Sequence, residues 1–146
     1  MSFTRPAAVA GMFYPASPAV LTATVDKLLA ARHPTPAVQP KALIVPHAGY
    51  IYSGATAAQA YAALTPWRSS IRRVILLGPT HRVAVNGLAL PSVESFTTPL
   101  GEVRLDSAAI ASLKGLPQVV VSDRVHAEEH SLEVHLPFLQ RVLDDF

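Results

Sequence analysis

The sequence of 146 residues contains no cysteine, and this absence removes several classes of chemistry. Disulfide bonds, thiolate nucleophiles, iron–sulfur clusters and cysteine zinc sites are excluded within these residues. Any metal ion bound by this chain must therefore be held by histidine, aspartate or glutamate. The phosphate-binding patterns GxGxxG and GxxxxGK[ST] and the hydrolase pattern GxSxG are also missing, which argues against dinucleotide, P-loop and serine-hydrolase sites.

Long apolar runs and an excess of one charge are missing as well. No uninterrupted apolar stretch reaches about 18 residues, and the N-terminus lacks a basic stretch followed by a hydrophobic one. We therefore expect no membrane span and no secretory signal, and a cytoplasmic location. Twelve basic and ten acidic residues give a net charge of only +2, which does not indicate nucleic-acid binding. The densest basic group is interpreted as a solvated rim; it consists of Arg68, Arg72, Arg73 and Arg82.

Half of the residues are hydrophobic and 15% are charged, which is typical of one folded domain over residues 1–146. Ser17 and Pro18 begin a helix with helical apolar spacing, and His33 and Pro34 are expected to end it. Residues 41–46 and 71–77 are apolar β-type runs, separated by an alanine-rich helix over 54–64. This βαβ pattern predicts an α/β fold, with a mostly parallel sheet buried on both faces and flanked by helices.

The second half of the chain continues the alternation with shorter elements. Residues 87–93 and 101–105 are predicted to be antiparallel or edge strands, separated by turns. Asp106 caps a helix that runs to Lys114, and residues 118–121 form another strand. Leucines at helical spacing predict helix over 126–146, and Pro137 predicts a kink or a second helix that begins near it.

Two histidines occupy equivalent places in this pattern. His47 follows the strand at 41–46, and His81 follows the strand at 71–77. Ligands and catalytic groups of open α/β sheets assemble at the carboxyl ends of the strands, so both are candidates for metal or substrate contact. Tyr50 and Thr80 lie beside them in the sequence and are candidates to line a substrate pocket.

A third group of polar residues, at 126–135, follows the strand at 118–121. In a helix His126 and His130 would share a face. Glu129 could join His47 and His81 as the carboxylate of a facial site for Fe(II), and the same set could hold Zn²⁺. Acidic residues at a helix start also complement the helix dipole, so this alternative stays open. His135 is interpreted as a packed or rim histidine.

Four motifs in order give the chain a family resemblance. It resembles the Memo family, whose prokaryotic members are called AmmeMemoRadiSam system protein B, and it matches roughly the N-terminal half of a member. The motifs are Arg5-Pro6-Ala7-Ala8-Val9-Ala10-Gly11-Met12-Phe13-Tyr14-Pro15, Val45-Pro46-His47-Ala48-Gly49-Tyr50, Gly78-Pro79-Thr80-His81 and Glu129-His130-Ser131-Leu132-Glu133-Val134-His135-Leu136-Pro137-Phe138.

The resemblance implies a three-layer fold similar to that of class III extradiol dioxygenases, with a metal site at the strand ends. His47 and His81 match two metal-site histidines of the family, and iron is the expected metal, with copper or zinc as alternatives. The family's cysteine ligand, with an accompanying aspartate and histidine, belongs to the C-terminal half and has no counterpart here. We therefore expect metal to be incomplete or absent unless a carboxylate or a neighbouring chain completes the site.

Two functions follow from the resemblance and stay open at this point. The first is a metal-dependent redox or ring-opening enzyme in which His130 and Glu129 act as catalytic groups near the substrate. The second is a non-catalytic accessory protein that binds a small molecule or peptide in the same cleft and associates with radical-SAM and AMMECR1-like partners. A short or truncated form would also leave a sheet edge, which a second copy of the chain could pair.

Overall fold

The structure is a computed structural model that describes residues 3–31 and 36–146. Its helices and strands follow one another along the chain in this order: β1 (Thr4–Arg5), α1 (Pro18–Leu29), α2 (Tyr50–Ala62), β2 (Leu88–Leu90), β3 (Ser95–Thr98), β4 (Gly101–Arg104), α3 (Ser107–Leu113), β5 (Val119–Val121), α4 (Asp123–Ala127) and α5 (Leu136–Val142). Single 3₁₀ turns occupy Thr65–Trp67 and Glu133–His135. No helix in the described ranges combines the length and the apolar character needed to cross a membrane.

Helices α1, α2 and α5 pack against one another and form the main core. Leu21 and Val25 of α1, one turn apart, are fully buried, as their helical spacing predicts. The Tyr61 ring of α2 stacks on Phe138 of α5 with 5.2 Å between ring centroids. Helix α1 begins at Pro18 as predicted, whereas His33 and Pro34, expected to end it, lie outside the described residues.

The strands form two small sheets, and the fold is therefore α/β. Strand β1 pairs in parallel with β3, which pairs in an antiparallel sense with β4, and β2 pairs in parallel with β5. The predictions for 87–93, 101–105 and 118–121 are confirmed in outline by β2, β4 and β5. Strand β3 lies partly in a region predicted as turn, because its pairing with β1 depends on residues about 90 positions away.

The prediction of buried parallel strands at 41–46 and 71–77 is wrong for the part of the chain that the structure describes. Both segments are irregular and take part in no strand pairing. Alternate side chains, including Leu43 and Leu76, pack on the core, while Ile44, Ile75 and Leu77 are 101, 79 and 76% exposed. The apolar runs allow one face of each segment to pack on the core, but a β-strand also needs a neighbouring strand that hydrogen-bonds to its backbone N–H and C=O groups.

The C-terminal region is not one continuous helix. Helix α4 ends at Ala127, a turn follows over 128–132, and α5 begins at Leu136, next to Pro137 as predicted. The prediction that His126 and His130 share a helix face is therefore wrong. Helix α3 agrees with its prediction in detail, because the Asp106 carboxylate accepts a hydrogen bond from the Ala109 N–H at 2.9 Å.

Candidate metal centre

Three histidines from distant parts of the sequence meet at one place. His47, His81 and His130 each offer a ring nitrogen, and the three nitrogens lie within 4.8 Å of one another. The ring centroids are separated by 5.3 Å for His47 and His81, by 4.4 Å for His81 and His130, and by 5.8 Å for His47 and His130. His81 is exposed, and the other two are half-buried. The structure thus brings the two predicted histidines together and adds His130 as a third.

His47 is positioned by the start of helix α2. It lies in the irregular segment that follows residue 41, and Gly49, two residues later, is the N-cap of α2. The backbone N–H of Tyr50 donates to the Phe13 carbonyl at 2.7 Å, which ties this helix start to the N-terminal arm, the segment at 3–17 that precedes α1. The Phe13 ring in turn lies 4.5 Å from the His130 ring, so the arm contacts two parts of the site.

His81 is positioned by close packing of its loop on the turn at 128–132. The Ser131 hydroxyl donates to the Pro79 carbonyl at 2.8 Å. A Cβ atom added at Gly78 would lie only 2.9 Å from the Ser131 Oγ, so glycine permits this approach. The motif that carries His81 and the motif that carries His130 are therefore packed directly against each other.

Glu129 joins the same two motifs through hydrogen bonds. Its Oε2 accepts the backbone N–H of His81 at 2.6 Å, and its Oε1 accepts the backbone N–H groups of His130 and Ser131. The same Oε1 lies 2.9 Å from Nδ1 of His81. Burial alone would raise the pKa of the Glu129 carboxyl, but these hydrogen bonds outweigh it and hold the pKa at about 2. Glu129 is therefore a carboxylate near neutral pH.

The environment of His130 favours its neutral form. Burial lowers the pKa of this imidazole, and the neighbouring His81 and His47 act in the same direction, although Glu129 opposes them. Neutral imidazole is the form that binds metal ions, because a protonated nitrogen has no free lone pair.

A buried ion pair anchors the segment that carries Glu129 and His130. The Arg5 Nη1 lies 2.6 Å from Oε2 of Glu133, whose side chain is fully buried. Arg5 also donates through Nε to the His126 carbonyl and through Nη2 to the Glu129 carbonyl. Glu133 accepts further hydrogen bonds from the backbone of Ala8 and Val9 and from the Tyr14 hydroxyl. This pair could not be predicted from the sequence pattern, since a charge at a helix start usually faces solvent.

The two predicted pocket residues and the other two described histidines have contacts of their own. The Tyr50 side chain is buried in the core, where its hydroxyl donates to the Val134 carbonyl. Thr80 is exposed next to His81. His135 is buried against Tyr61, and burial, together with the charge of a protonated His47, lowers its pKa to about 4. His126 bonds the Ala89 carbonyl and is not part of the group.

The three-histidine group fits a first-row transition metal ion. Such an ion bonds imidazole nitrogen at about 2.0–2.1 Å, which would draw the three nitrogens to roughly 3–4 Å from one another. The observed spacing is close enough for small side-chain rotations to achieve this. The carboxylate expected in the facial site is not one of the three ligands of this group; Glu129 instead accepts backbone N–H groups and contacts Nδ1 of His81.

Comparisons with a family model and with known proteins lead to the same family. Residues 5–146 match the family described as Memo-like protein. The chain is 40% identical to a MEMO1 family protein of Aquifex aeolicus over 94% of its own length and 49% of that protein. It is 40% identical to a MEMO1 family protein of Ignicoccus hospitalis, over 97% of its length and 53% of the relative.

The likeness extends to animals. The chain is 37% identical to Protein MEMO1 of Xenopus laevis, over 98% of its own length and 48% of that protein. The chain thus spans about half the length of the curated relatives it matches. Since the family match covers nearly every residue, this chain belongs to the Memo-like protein family.

Proposed function

We propose that this chain binds a divalent metal ion through His47, His81 and His130 and that the bound ion serves redox or dioxygenase-like chemistry. The observation that carries the proposal is the convergence of three ring nitrogens within 4.8 Å, from three separate segments of the chain. When bound, the ion would supply Lewis-acid polarisation and one-electron chemistry at its open coordination positions.

The chain's own residues prepare this site in two ways. Burial and neighbouring imidazoles keep His130 neutral, and Glu129 bonds both motifs that carry the second and third histidines. Imidazole suits iron, copper and zinc alike, and iron is proposed because of the resemblance to class III extradiol dioxygenases. The group contains no anionic ligand, so we propose weak binding that strengthens when another polypeptide or a carboxylate completes the site.

We also propose, on the family resemblance, that the α/β fold of this chain belongs to a three-layer, dioxygenase-like architecture. The radical-SAM and AMMECR1-like partners are proposed on the family resemblance alone.

Metal titration of anaerobically purified, metal-free protein tests the function. Fe(II), Zn²⁺ and Cu²⁺ are added separately, and affinity is measured by calorimetry or by competition with a chromophoric chelator. Alanine at His47, His81 or His130 should each weaken binding by more than about 100-fold, beyond the 10–100-fold typical of residues that only orient ligands.

The matched control is His126→Gln, because this histidine lies outside the group and glutamine can still donate to the Ala89 carbonyl. It should bind metal as the wild type does. Equal affinity in the wild type and the His47→Ala/His81→Ala double variant, with melting temperatures unchanged, would overturn the metal site. A partner recovered equally well by both proteins would then support the accessory function.

A further inference from the structure

The contact between Glu129 and His81 is more specific than general loop packing requires. A carboxylate has no proton to donate, so a hydrogen bond with a ring nitrogen requires the proton to be on the imidazole. The distance from Oε1 to Nδ1 is 2.9 Å, which is a normal hydrogen-bond length. Nδ1 of a neutral His81 must therefore carry the proton, and Nε2 must carry the lone pair.

We infer that Glu129 is a positioning residue that locks His81 in its Nδ1–H tautomer and leaves Nε2 free as the metal-binding atom. The inference rests on the proposed metal site for its purpose, but the tautomer itself is a property of the metal-free protein. A histidine ligand that donates its other N–H to a carboxylate has a fixed ring orientation and a more basic ligand nitrogen.

Further hydrogen bonds hold both Glu129 and His81 in place. The backbone N–H of His81 is bonded to the second carboxylate oxygen at 2.6 Å, so both the ring and the main chain of this residue are held by one side chain. Glu129 is itself held, because only 5% of its side chain is exposed and Arg5 donates to its carbonyl. A fixed carboxylate can orient the His81 ring even though this side chain is 40% exposed.

Oε1 of Glu129 lies at different distances from the His81 and His130 rings. Nδ1 of His130 lies 3.4 Å from Oε1, beyond the usual range for an N–H···O hydrogen bond. Glu129 therefore selects the tautomer of His81 and leaves that of His130 to its other neighbours. Removal of the carboxylate should change the ring signals of His81 far more than those of His130.

Long-range ¹H–¹⁵N correlation spectra of ¹⁵N-histidine-labelled, metal-free protein at about pH 8 test the inference, with His81→Ala used for assignment. The wild type should show protonated Nδ1 and unprotonated Nε2 at His81. In Glu129→Gln the His81 signals should move towards a mixture of tautomers, and Zn²⁺ affinity should fall about 10–100-fold. The Glu129→Asp variant, which retains the charge, should recover part of the affinity.

Ser131→Ala is the matched control for a purely structural role. It removes the hydroxyl that anchors the same loop to Pro79 but leaves the Glu129–His81 contact in place. This variant should keep the wild-type tautomer of His81 and lose less affinity than Glu129→Gln. A wild-type spectrum with protonated Nε2 at His81, or a spectrum unchanged by Glu129→Gln, would overturn the inference. A locked tautomer in a protein that binds no metal would support the lock and overturn the proposed function instead.

Discussion

The buried pair of Arg5 and Glu133 allows a quantitative prediction for Glu133→Gln. Glutamine has nearly the same shape but only one acceptor oxygen. The two carboxylate oxygens accept from two donors each, Arg5 Nη1 and the Ala8 N–H on one, and the Val9 N–H and the Tyr14 hydroxyl on the other. In either orientation the new NH₂ group therefore faces at least one N–H donor, and the Arg5 charge stays buried without its partner.

Removing one partner of a buried, hydrogen-bonded ion pair typically costs about 3–5 kcal/mol. This is a large part of the roughly 5–15 kcal/mol that stabilises a domain. Urea unfolding followed by circular dichroism measures the change. With a slope of about 2 kcal/mol/M, the midpoint should fall by about 2 M if the slope itself is unchanged.

The exposed pair of Arg141 and Asp26 provides the comparison. Its hydrogen bonds are short, at 2.8 and 2.9 Å, but both side chains are more than a third exposed. Asp26→Asn should therefore cost no more than about 1 kcal/mol. The additional change Arg5→Met should restore part of the loss in Glu133→Gln, because no unpaired charge then stays buried. A loss below about 1 kcal/mol for Glu133→Gln would refute the reasoning.

Three further predictions concern the site loop, pH and the exposed face. Gly78→Ala places a Cβ atom 2.9 Å from the Ser131 Oγ, so the loop that carries His81 should shift and Zn²⁺ affinity should fall in calorimetry; equal affinity would contradict the packing. Burial lowers the pKa of His135 to about 4, so protonation favours the unfolded chain and stability is lost as pH falls from about 6.5 to 4. Between pH 8 and 5, His135→Gln should remove on the order of 2 kcal/mol of this loss in urea unfolding, and an unchanged pH dependence would disprove it. Ile75→Thr should change the unfolding free energy by less than about 0.5 kcal/mol, because the side chain is 79% exposed; a core-sized loss would show that this face is covered.

The features predicted correctly from the sequence depend on local signals. Pro18 fixes a backbone angle suited to the first turn of α1, and Asp106 accepts a hydrogen bond three residues along the chain. Pro137 lies in the first turn of α5, where its missing N–H needs no intrahelical partner. Each signal lies within one turn of the element that it controls, so a single sequence is sufficient to interpret it.

The features that were missed depend on residues far apart in the sequence. The Arg5–Glu133 pair spans 128 positions, and no pattern of spacing reports such a contact. The strand prediction at 71–77 failed for a related reason, because apolar alternation specifies a packed face but not the partner that completes a ladder. His130 was expected near the substrate, but its place beside His47 and His81 depends on the turn that separates α4 from α5.

These long-range contacts explain why a site built on irregular segments can hold its shape. His47, His81 and His130 all lie outside regular helices and strands, where the backbone alone gives little rigidity. The Arg5 guanidinium donates to the carbonyl of Glu129, and the carboxylate of Glu129 contacts the His81 ring. A buried side chain is thus connected by hydrogen bonds to an exposed imidazole and helps to hold it in place. Arg5 and Glu133 form a buried ion pair, and Glu133 also accepts a hydrogen bond from the backbone of Ala8. The stability of the fold and the geometry of the site therefore depend on the same group of hydrogen bonds.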